Sequence, residues 1–206
     1  MEYTINIKGC LMDLSTPQVM GILNVTPDSF YSGSRKQTEM EIAQRANQII
    51  EEGGSIIDVG AFSTRPGADE VSEEEEGRRL KFALDIVRRE QPDAAVSVDT
   101  YRPTLARKCI EEWGADIIND VSEGGITGIA NVPLEQRQEE YPEMFRVVGE
   151  LKVPYILMSV QPTLAKMMKG FAREVQQLRD LGAKDIILDP GFCFGKNLIQ
   201  NYQIYN

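Results

Sequence analysis

Four apolar segments of this chain end in side chains that could bind a polar ligand. The apolar runs stop at Asn24, Asp99, Asn119 and Asp189, and a loop follows each of them. A buried carboxylate or amide needs hydrogen-bonding partners. A planar ligand with amidine-like or guanidine-like N–H groups would supply partners to Asp99, Asn119 and Asp189. The simpler interpretation, in which a side chain only caps a neighbouring loop or helix, stays open for any one of them.

Three further features suit a substrate that carries phosphate and an aromatic ring. Thr64 offers a hydroxyl, and Arg65, next in the chain, offers a cation for a phosphate or carboxylate. Asn24 is an oxygen donor that could help to hold Mg2+ on a diphosphate. Phe192 and Phe194 flank one small residue, so one of the two rings could line a pocket for an aromatic substrate.

The segments that must position these residues alternate between strand and helix patterns. Predicted strands lie near residues 19–23, 56–60, 95–98, 116–118, 155–158 and 186–188. Predicted helices lie near 38–52, 72–89, 103–113, 142–151 and 164–181, each with an apolar stripe. In the last of them Met167 and Met168 are expected in the core. Alternation around Gly9 predicts a small hairpin before the first core strand, and Ser72 with Glu75 has the pattern of a capping box.

The strands show no polar and apolar alternation, which predicts a parallel sheet buried on both faces with helices outside it. A doubly wound sheet and a (β/α)8 barrel both fit this pattern. A Rossmann-type sheet would carry a Gly-x-Gly-x-x-Gly turn after the first strand, and residues 24–27 do not form one. Polar residues at the end of each successive strand favour the barrel, because an open sheet concentrates its site at one switch point. We therefore predict an α/β protein of the TIM (β/α)8 type, with about six of the eight β/α units in this chain.

Composition excludes several classes of function. The chain has 206 residues, a formal net charge of −10 and an isoelectric point near 4.7, which argues against nucleic acid and anionic membranes as partners. No histidine is present, so a His-centred triad and a His-ligated zinc site are excluded. Cys10, Cys109 and Cys193 are odd in number and widely spaced, which predicts reduced thiols. We expect a cytoplasmic protein, because the N-terminus is polar and no apolar run has membrane-spanning length.

Five blocks of the sequence closely resemble the signature blocks of dihydropteroate synthase. They lie at residues 20–30, 63–67, 97–100, 119–120 and 189–196, in that family's order and with compatible spacing across nearly the whole chain. The resemblance implies a single pterin-binding barrel domain over residues 1–206, in which 1–18 form the hairpin and lead-in. It also implies an enzyme of folate biosynthesis that condenses 6-hydroxymethyl-7,8-dihydropterin diphosphate with p-aminobenzoate, giving 7,8-dihydropteroate and pyrophosphate.

The resemblance also implies roles for individual residues. Asn24 would contact the cofactor Mg2+, whereas Asp99 and Arg65 would be catalytic, with Asp99 stabilising a pterin cation after the diphosphate has left. The pterin substrate would be held by residues at or near the strand ends, namely Thr64, Asp99, Asn119, Met158 and Asp189. The residues near p-aminobenzoate would be Phe30, Pro66 and Phe194. Residues 26–36 and 62–72 resemble two mobile loops that close over the reaction, and a homodimer is compatible with the resemblance.

Three departures from the family pattern change what is expected of the chain. Ser159 stands where the family often has histidine, Cys193 replaces the usual glycine between two phenylalanines, and the late Ser-x-Lys and Arg-x-His blocks are missing. We therefore expect a C-terminally truncated, weakly stable and catalytically defective synthase, with residues 197–206 in a short helix at best. Two alternatives stay open. One is a non-catalytic pterin-binding fragment, and the other is a barrel that transfers methyl groups from methyltetrahydrofolate to a corrinoid protein.

Overall fold

The computed structural model describes residues 3–25, 35–62, 71–125 and 141–205. The strands in these ranges are β1 (Thr4–Ile7), β2 (Cys10–Asp13), β3 (Met20–Asn24), β4 (Ile56–Gly60), β5 (Ala95–Asp99), β6 (Ile117–Asp120), β7 (Tyr155–Met158) and β8 (Ile186–Asp189). The helices are α1 (Arg35–Glu51), α2 (Glu73–Glu90), α3 (Pro103–Glu111), α4 (Glu143–Leu151), α5 (Leu164–Asp180) and α6 (Leu198–Tyr205). Every predicted strand and helix is present. Within the described ranges, no helix is both long and apolar enough to cross a membrane.

β1 and β2 form the predicted antiparallel hairpin. Lys8 and Gly9 make its turn, with φ angles of 50° and 86°. Positive φ at both central residues is typical of the two-residue turns that match the twist of the flanking strands. The Gly9 N–H donates to the Asn6 side chain at 2.7 Å, which fixes the turn further. The Lys8 ammonium in turn donates to the Gly114 carbonyl at 3.3 Å, so the hairpin is tied to the loop before β6.

The chain divides into two compact units. The first comprises Met1–Thr100 with Thr104–Ile117, and the second comprises Tyr101–Pro103 with Ile118–Asn206. In the first unit β4 pairs in parallel with β3 on one side and with β5 on the other. In the second unit β7 pairs in parallel with β6 and β8. Both units therefore present the carboxyl ends of three parallel strands side by side.

The first unit is built around strands that are buried on both faces. β4 is buried along its whole length and β5 along all but its last residue, as parallel strands covered by helices require. α2 begins after Ser72, whose hydroxyl accepts the Glu75 N–H at 3.2 Å. This confirms one half of the predicted capping box. The Glu75 carboxylate, which the pattern would direct back to Ser72, binds Arg78 and Arg79.

The second unit has a fully buried strand at its centre. All four residues of β7 are buried, and the Tyr155 ring meets the Phe145 ring of α4 edge to face, with centroids 6.0 Å apart. Such edge-to-face pairs stabilise a core beyond the area that they bury. β8 is less covered, since none of its residues is fully buried and Leu188 is exposed.

The inward face of α5 differs from the prediction. Met168 is exposed, although it was expected in the core together with Met167. The side chains that α5 buries are Met167, Phe171, Glu174 and Leu178. A carboxyl group therefore occupies the middle of the buried stripe. The buried face of α5 was therefore misjudged from the sequence, because hydrophobic periodicity detects only apolar residues.

The end of the described chain is helical, as expected. α6 buries none of its residues, and four large apolar or aromatic side chains of this helix are exposed, namely Leu198, Ile199, Tyr202 and Tyr205. From β3 onward each strand is followed by a helix, which gives six β/α units in the described residues. The predicted α/β class with parallel strands is thereby confirmed.

Asp116 is the main polar anchor of the first unit. Its side chain is almost completely buried and forms ion pairs with Arg88 and with Lys8 of the hairpin turn, the latter at 2.7 Å. One of its carboxylate oxygens also accepts the Val96 N–H of β5 at 2.9 Å. Arg88 uses its remaining donors on the carbonyls of Gly114 and Ala94. A single carboxylate thus joins the hairpin, α2 and β5.

Replacing Asp116 with alanine should destabilise the protein strongly. The change would leave the Arg88 guanidinium half-buried without its carboxylate, and breaking a buried pair in this way costs about 3–5 kcal/mol. Urea unfolding monitored by circular dichroism would measure the loss. Asp85→Ala is the matched control, because Asp85 forms an exposed pair with Lys81 and such pairs contribute at most about 1 kcal/mol. Equal stability of the two variants would contradict the anchoring role of Asp116.

Candidate active site

The first unit aligns two predicted site residues across one glycine. Asn24 ends β3, Gly60 ends β4 and Asp99 ends β5, and the strand register pairs Asn24 with Gly60 and Gly60 with Asp99. Side chains of paired residues on parallel strands point to the same side of the sheet. Asn24 is exposed and Asp99 is half-buried. The register therefore brings an amide and a carboxylate together at the carboxyl ends of the strands, as predicted.

Gly60 has no side chain where these two polar groups approach each other. A Cβ on Gly60 would lie 2.7 Å from Asn24 Oδ1 and 3.4 Å from Asp99 Oδ2. The first distance is shorter than any normal van der Waals contact. Any larger residue would displace the Asn24 amide, so the glycine keeps both oxygens over the end of β4.

Two charged residues of α2 support these strand ends, and pattern reasoning missed both. Glu76 is completely buried and accepts the Thr100 hydroxyl at 2.6 Å, directly beside Asp99. Arg79 is also buried, and its guanidinium donates to the Ala61 carbonyl after β4 at 3.4 Å. The sequence pattern at the acidic start of α2 predicts only a capping role. The signal that could have identified Glu76 is its position one helical turn before the buried Leu80.

The second unit gathers three more predicted site residues. Asn119 lies near the end of β6 and is largely buried, and Met158 at the end of β7 is completely buried. Met158 pairs in register with Asp189, the half-buried last residue of β8. One Asp189 oxygen accepts the Gly191 N–H at 2.8 Å. Asp189 therefore does cap its own loop, as the simpler interpretation proposed, and its second oxygen is the one to consider for a ligand.

Asp120 is a structural acid beside Asn119. Its carboxylate accepts hydrogen bonds from the Ser122 N–H and hydroxyl, from the Gly124 N–H at 2.8 Å and from the Tyr155 hydroxyl at 2.6 Å. Burial raises the pKa of Asp120, whereas its hydrogen bonds oppose that rise. Burial and the nearby Asp120 charge raise the pKa of Tyr155 well above its ordinary value. This network fixes the backbone after β6.

Two buried glutamates lie close to the end of β7. Glu123 accepts the Ser159 hydroxyl at 3.1 Å and the Gln161 amide at 3.3 Å. Glu174 of α5 is completely buried, and a Cβ on Gly170 would be 3.4 Å from an oxygen of each carboxyl group. Burial raises the pKa of Glu123. Burial, followed by the Glu123 charge, raises the pKa of Glu174 to about 7.

The turn after β8 carries the aromatic residues that were predicted for a ring-binding pocket. The Phe192 ring packs against Tyr205 of α6, with centroids 6.3 Å apart. Phe194 is half-buried, so it is the better candidate for contact with a ligand. Lys196 closes the turn, and sequence reasoning gave it no role. Burial lowers its pKa, which the charges of Asp189 and Glu123 oppose.

Four predicted site residues lie outside the described ranges. They are Phe30, Thr64, Arg65 and Pro66. Their assignments, and those of the two loops at 26–36 and 62–72, remain predictions. Within the described ranges, the structure brings together Asn24 with Asp99 and Met158 with Asp189.

The described residues around Asn24 have the donor chemistry that Mg2+ prefers. Asn24 lines a cavity of about 290 Å³ together with Thr38 and Glu41. Amide, hydroxyl and carboxylate oxygens are hard donors, and Mg2+ is usually held by one or two such groups with substrate phosphates and water. Across the described residues no group of three or more acidic or cysteine side chains converges on one point. The oxygen donors of Asn24, Thr38 and Glu41 therefore fit a Mg2+ ion that also binds substrate phosphate.

All three cysteines carry free thiols, as predicted. Cys109 is buried on α3, and burial raises the pKa of its thiol, with the Glu76 charge adding to the rise. Such a thiol is not a nucleophile, so Cys109 belongs to the core. Cys10 on β2 and Cys193 in the turn after β8 are exposed.

Comparison with known proteins identifies relatives over most of the chain. The family model described as pterin binding enzyme matches residues 20–206. The dihydropteroate synthase of Escherichia coli strain K12 is 36% identical over 212 residues, which cover 96% of this chain and 69% of that protein.

Solved structures resemble the fold described above. The dihydropteroate synthase of Xanthomonas albilineans with 4-aminobenzoic acid has a TM-score of 0.81 and 30% identity, and the match covers 99% of this chain and 72% of that one. The same enzyme in complex with 7,8-dihydropteroate has a TM-score of 0.76 and 28% identity, with coverage of 98% and 70%. These similarities agree with the predicted α/β fold of the TIM type.

The Glu174 carboxyl group should make stability depend on pH. Its pKa rises from an ordinary 4.5 to about 7 on folding, so the folded protein holds a proton that the unfolded chain releases between these values. The free energy of unfolding should therefore fall as the pH rises through this window. Glu174→Gln should remove about 1–3 kcal/mol of that fall.

Urea unfolding at about pH 5 and about pH 8 would measure the effect on either side of the window. Glu143→Gln is the matched control, since Glu143 is an exposed glutamate of α4 and should keep the wild-type pH dependence. If Glu174→Gln keeps it too, another group is responsible for the fall.

Proposed function

The chain belongs to the dihydropteroate synthase family of pterin-binding enzymes, which are transferases, and we propose on that premise how its own residues act. We propose that it condenses 6-hydroxymethyl-7,8-dihydropterin diphosphate with p-aminobenzoate, giving 7,8-dihydropteroate and pyrophosphate. The observation that carries this proposal is the alignment of Asn24 and Asp99 over Gly60. An amide oxygen, which we propose for the diphosphate end, and a carboxylate, which we propose for the ring, are thus close to each other.

Recognition of the pterin would rest on groups that match its polar edge. A pterin ring presents N–H donors and a carbonyl, which the carboxylates of Asp99 and Asp189 and the amide of Asn119 can satisfy. Asp99 and Asp189 are half-buried and Asn119 is largely buried, so hydrogen bonds to them would be stronger than in water. The buried thioether of Met158 offers a polarisable surface for the flat ring. Thr64 is assigned to the same substrate by resemblance alone.

The p-aminobenzoate pocket would be formed partly by the turn after β8. Phe194 supplies a half-buried ring there, and an aromatic substrate gains from packing against such a ring. Phe30 and Pro66 are proposed as its partners by resemblance.

The chemical step would depend on stabilising opposite charges at two places. The Asp99 carboxylate orients the pterin and stabilises the positive charge that develops on it as the carbon–oxygen bond to diphosphate breaks. The p-aminobenzoate nitrogen then attacks that carbon and loses a proton. Arg65 would stabilise the negative charge on the leaving diphosphate, and Asn24 would hold Mg2+, which when bound neutralises the same charge. We place this reaction in the cytoplasm, consistent with three free thiols.

A steady-state assay tests the proposed activity directly. We expect 7,8-dihydropteroate and pyrophosphate to form only when the pterin diphosphate, p-aminobenzoate and Mg2+ are all present, and the catalytic defect predicted from the sequence would appear as a low rate. Calorimetry with each substrate should accompany the assay. Binding of the pterin without product would favour a pterin-binding role without catalysis, and absence of both would contradict the proposal.

Asp99→Ala should weaken binding of the pterin diphosphate by about 1.5–3 kcal/mol, because it removes hydrogen bonds to a charged group. Titration calorimetry on the folded variant would measure the change. Asp93→Ala is the matched control, since Asp93 is exposed in the loop before β5 and should leave the affinity unchanged. Wild-type affinity in Asp99→Ala would show that Asp99 does not contact the pterin.

A further inference from the structure

Lys196 is a buried lysine. Among the described residues, its ammonium group donates hydrogen bonds only to backbone carbonyls. Its side chain lies in the turn after β8, and its Nζ donates to the carbonyls of Ser159 at 2.8 Å, Gly191 at 2.9 Å and Phe194 at 3.1 Å. An ammonium group has three N–H donors. Each of them therefore has a carbonyl partner.

The three carbonyls belong to two different segments. Ser159 directly follows β7, whereas Gly191 and Phe194 belong to the turn after β8. Ser159 is itself fixed from two other directions, because its N–H donates to the Asp189 carbonyl at 2.9 Å and its hydroxyl donates to Glu123. The lysine thus ties the turn to a residue that the rest of the unit holds in place.

The turn needs such a restraint because one of its residues has an unfavourable backbone conformation. Gly191, Cys193 and Gly195 all have positive φ, at 61°, 70° and 63°. Glycine adopts such angles readily, but Cys193 has a side chain, which makes this region sterically unfavourable. Strained backbone of this kind persists only where the surroundings enforce it. Asn201 of α6 contributes by accepting the Cys193 N–H at 2.8 Å.

The turn also contacts residues of the candidate site. A Cβ on Gly191 would lie 2.3 Å from the Ser159 carbonyl oxygen and 2.9 Å from Met158 Cγ. The backbone of the turn is therefore packed directly on the end of β7. Phe194 belongs to the part of the turn that Lys196 holds, because its carbonyl accepts one of the three Lys196 hydrogen bonds.

We propose that Lys196 is a positioning residue for the p-aminobenzoate pocket. Its ammonium clamps residues 191–195 onto the end of β7 and so sets the place of the Phe194 ring. This inference rests on the proposed function, because it takes Phe194 as a p-aminobenzoate contact. It predicts that loss of the clamp lowers p-aminobenzoate affinity and leaves the pterin contacts of Asp99 and Asn119 intact.

Lys196→Met tests the clamp, because methionine keeps most of the apolar stem and removes all three donors. We expect the Phe194 amide, which donates to the Gly191 carbonyl at 3.1 Å, to exchange its hydrogen about tenfold faster. We expect p-aminobenzoate affinity, measured by calorimetry in the presence of pyrophosphate, to fall about tenfold. Pterin diphosphate affinity should stay within about twofold of wild type, a change below the energy of one hydrogen bond. Lys184→Met is the matched control, since Lys184 is exposed before β8 and should change none of these quantities.

Three outcomes would overturn the proposal. They are unchanged exchange at Phe194 in a folded Lys196→Met protein, unchanged p-aminobenzoate affinity, and equal loss of affinity for both substrates, which would indicate a general structural role. A wild-type chain that binds neither substrate contradicts the proposed function instead. In that case, faster hydrogen exchange of the Phe194 amide in Lys196→Met would still support the clamp, and unchanged exchange would refute it.

Discussion

A parallel strand that is buried on both faces cannot direct the polar groups at its end to bulk water, so neighbouring elements must supply partners. Several buried polar contacts among the described residues meet that requirement. The Thr100 hydroxyl after β5 donates to Glu76 of α2, and the Ser159 hydroxyl after β7 donates to Glu123. Asp120 at the end of β6 accepts from the Tyr155 hydroxyl of β7. The ends of these strands are therefore backed by hydrogen bonds that hold their backbone.

The two units meet this requirement with different charge balances. In the first unit the buried carboxylate of Asp116 is paired with two cations, so its charge is compensated within the protein. In the second unit Asp120, Glu123 and Glu174 are all buried, and burial raises the pKa of each. Glu174 also forms an ion pair with Arg173 at 2.9 Å, which opposes the rise in its pKa but does not cancel it. The second unit therefore contains a carboxyl group, Glu174, whose protonation changes near neutral pH.

Much of the fold could be predicted, because apolar runs indicate buried strands and a glycine after an amphipathic segment indicates the end of a helix. The alignment of Asn24 and Asp99 followed from the same pattern, since parallel strands place their carboxyl ends side by side. The charged residues on buried faces could not be predicted in this way. Glu76 and Glu174 occupy inward positions of α2 and α5, yet a pattern of apolar residues treats them as interruptions. Lys196 was hidden for another reason: its carbonyl partner at Ser159 lies 37 residues away, and no local signal reports such a contact.

The placement of the cysteines has a practical consequence for spectroscopy. Cys10 belongs to the first unit and Cys193 to the second, both thiols are exposed, and Cys109 is buried with a raised pKa. Maleimide chemistry selects accessible thiolates, so a mixture of donor and acceptor dyes would label Cys10 and Cys193 in either order and leave the core thiol unmodified. The natural sequence is thus ready for energy-transfer measurements of the separation between the units, without any engineered cysteine.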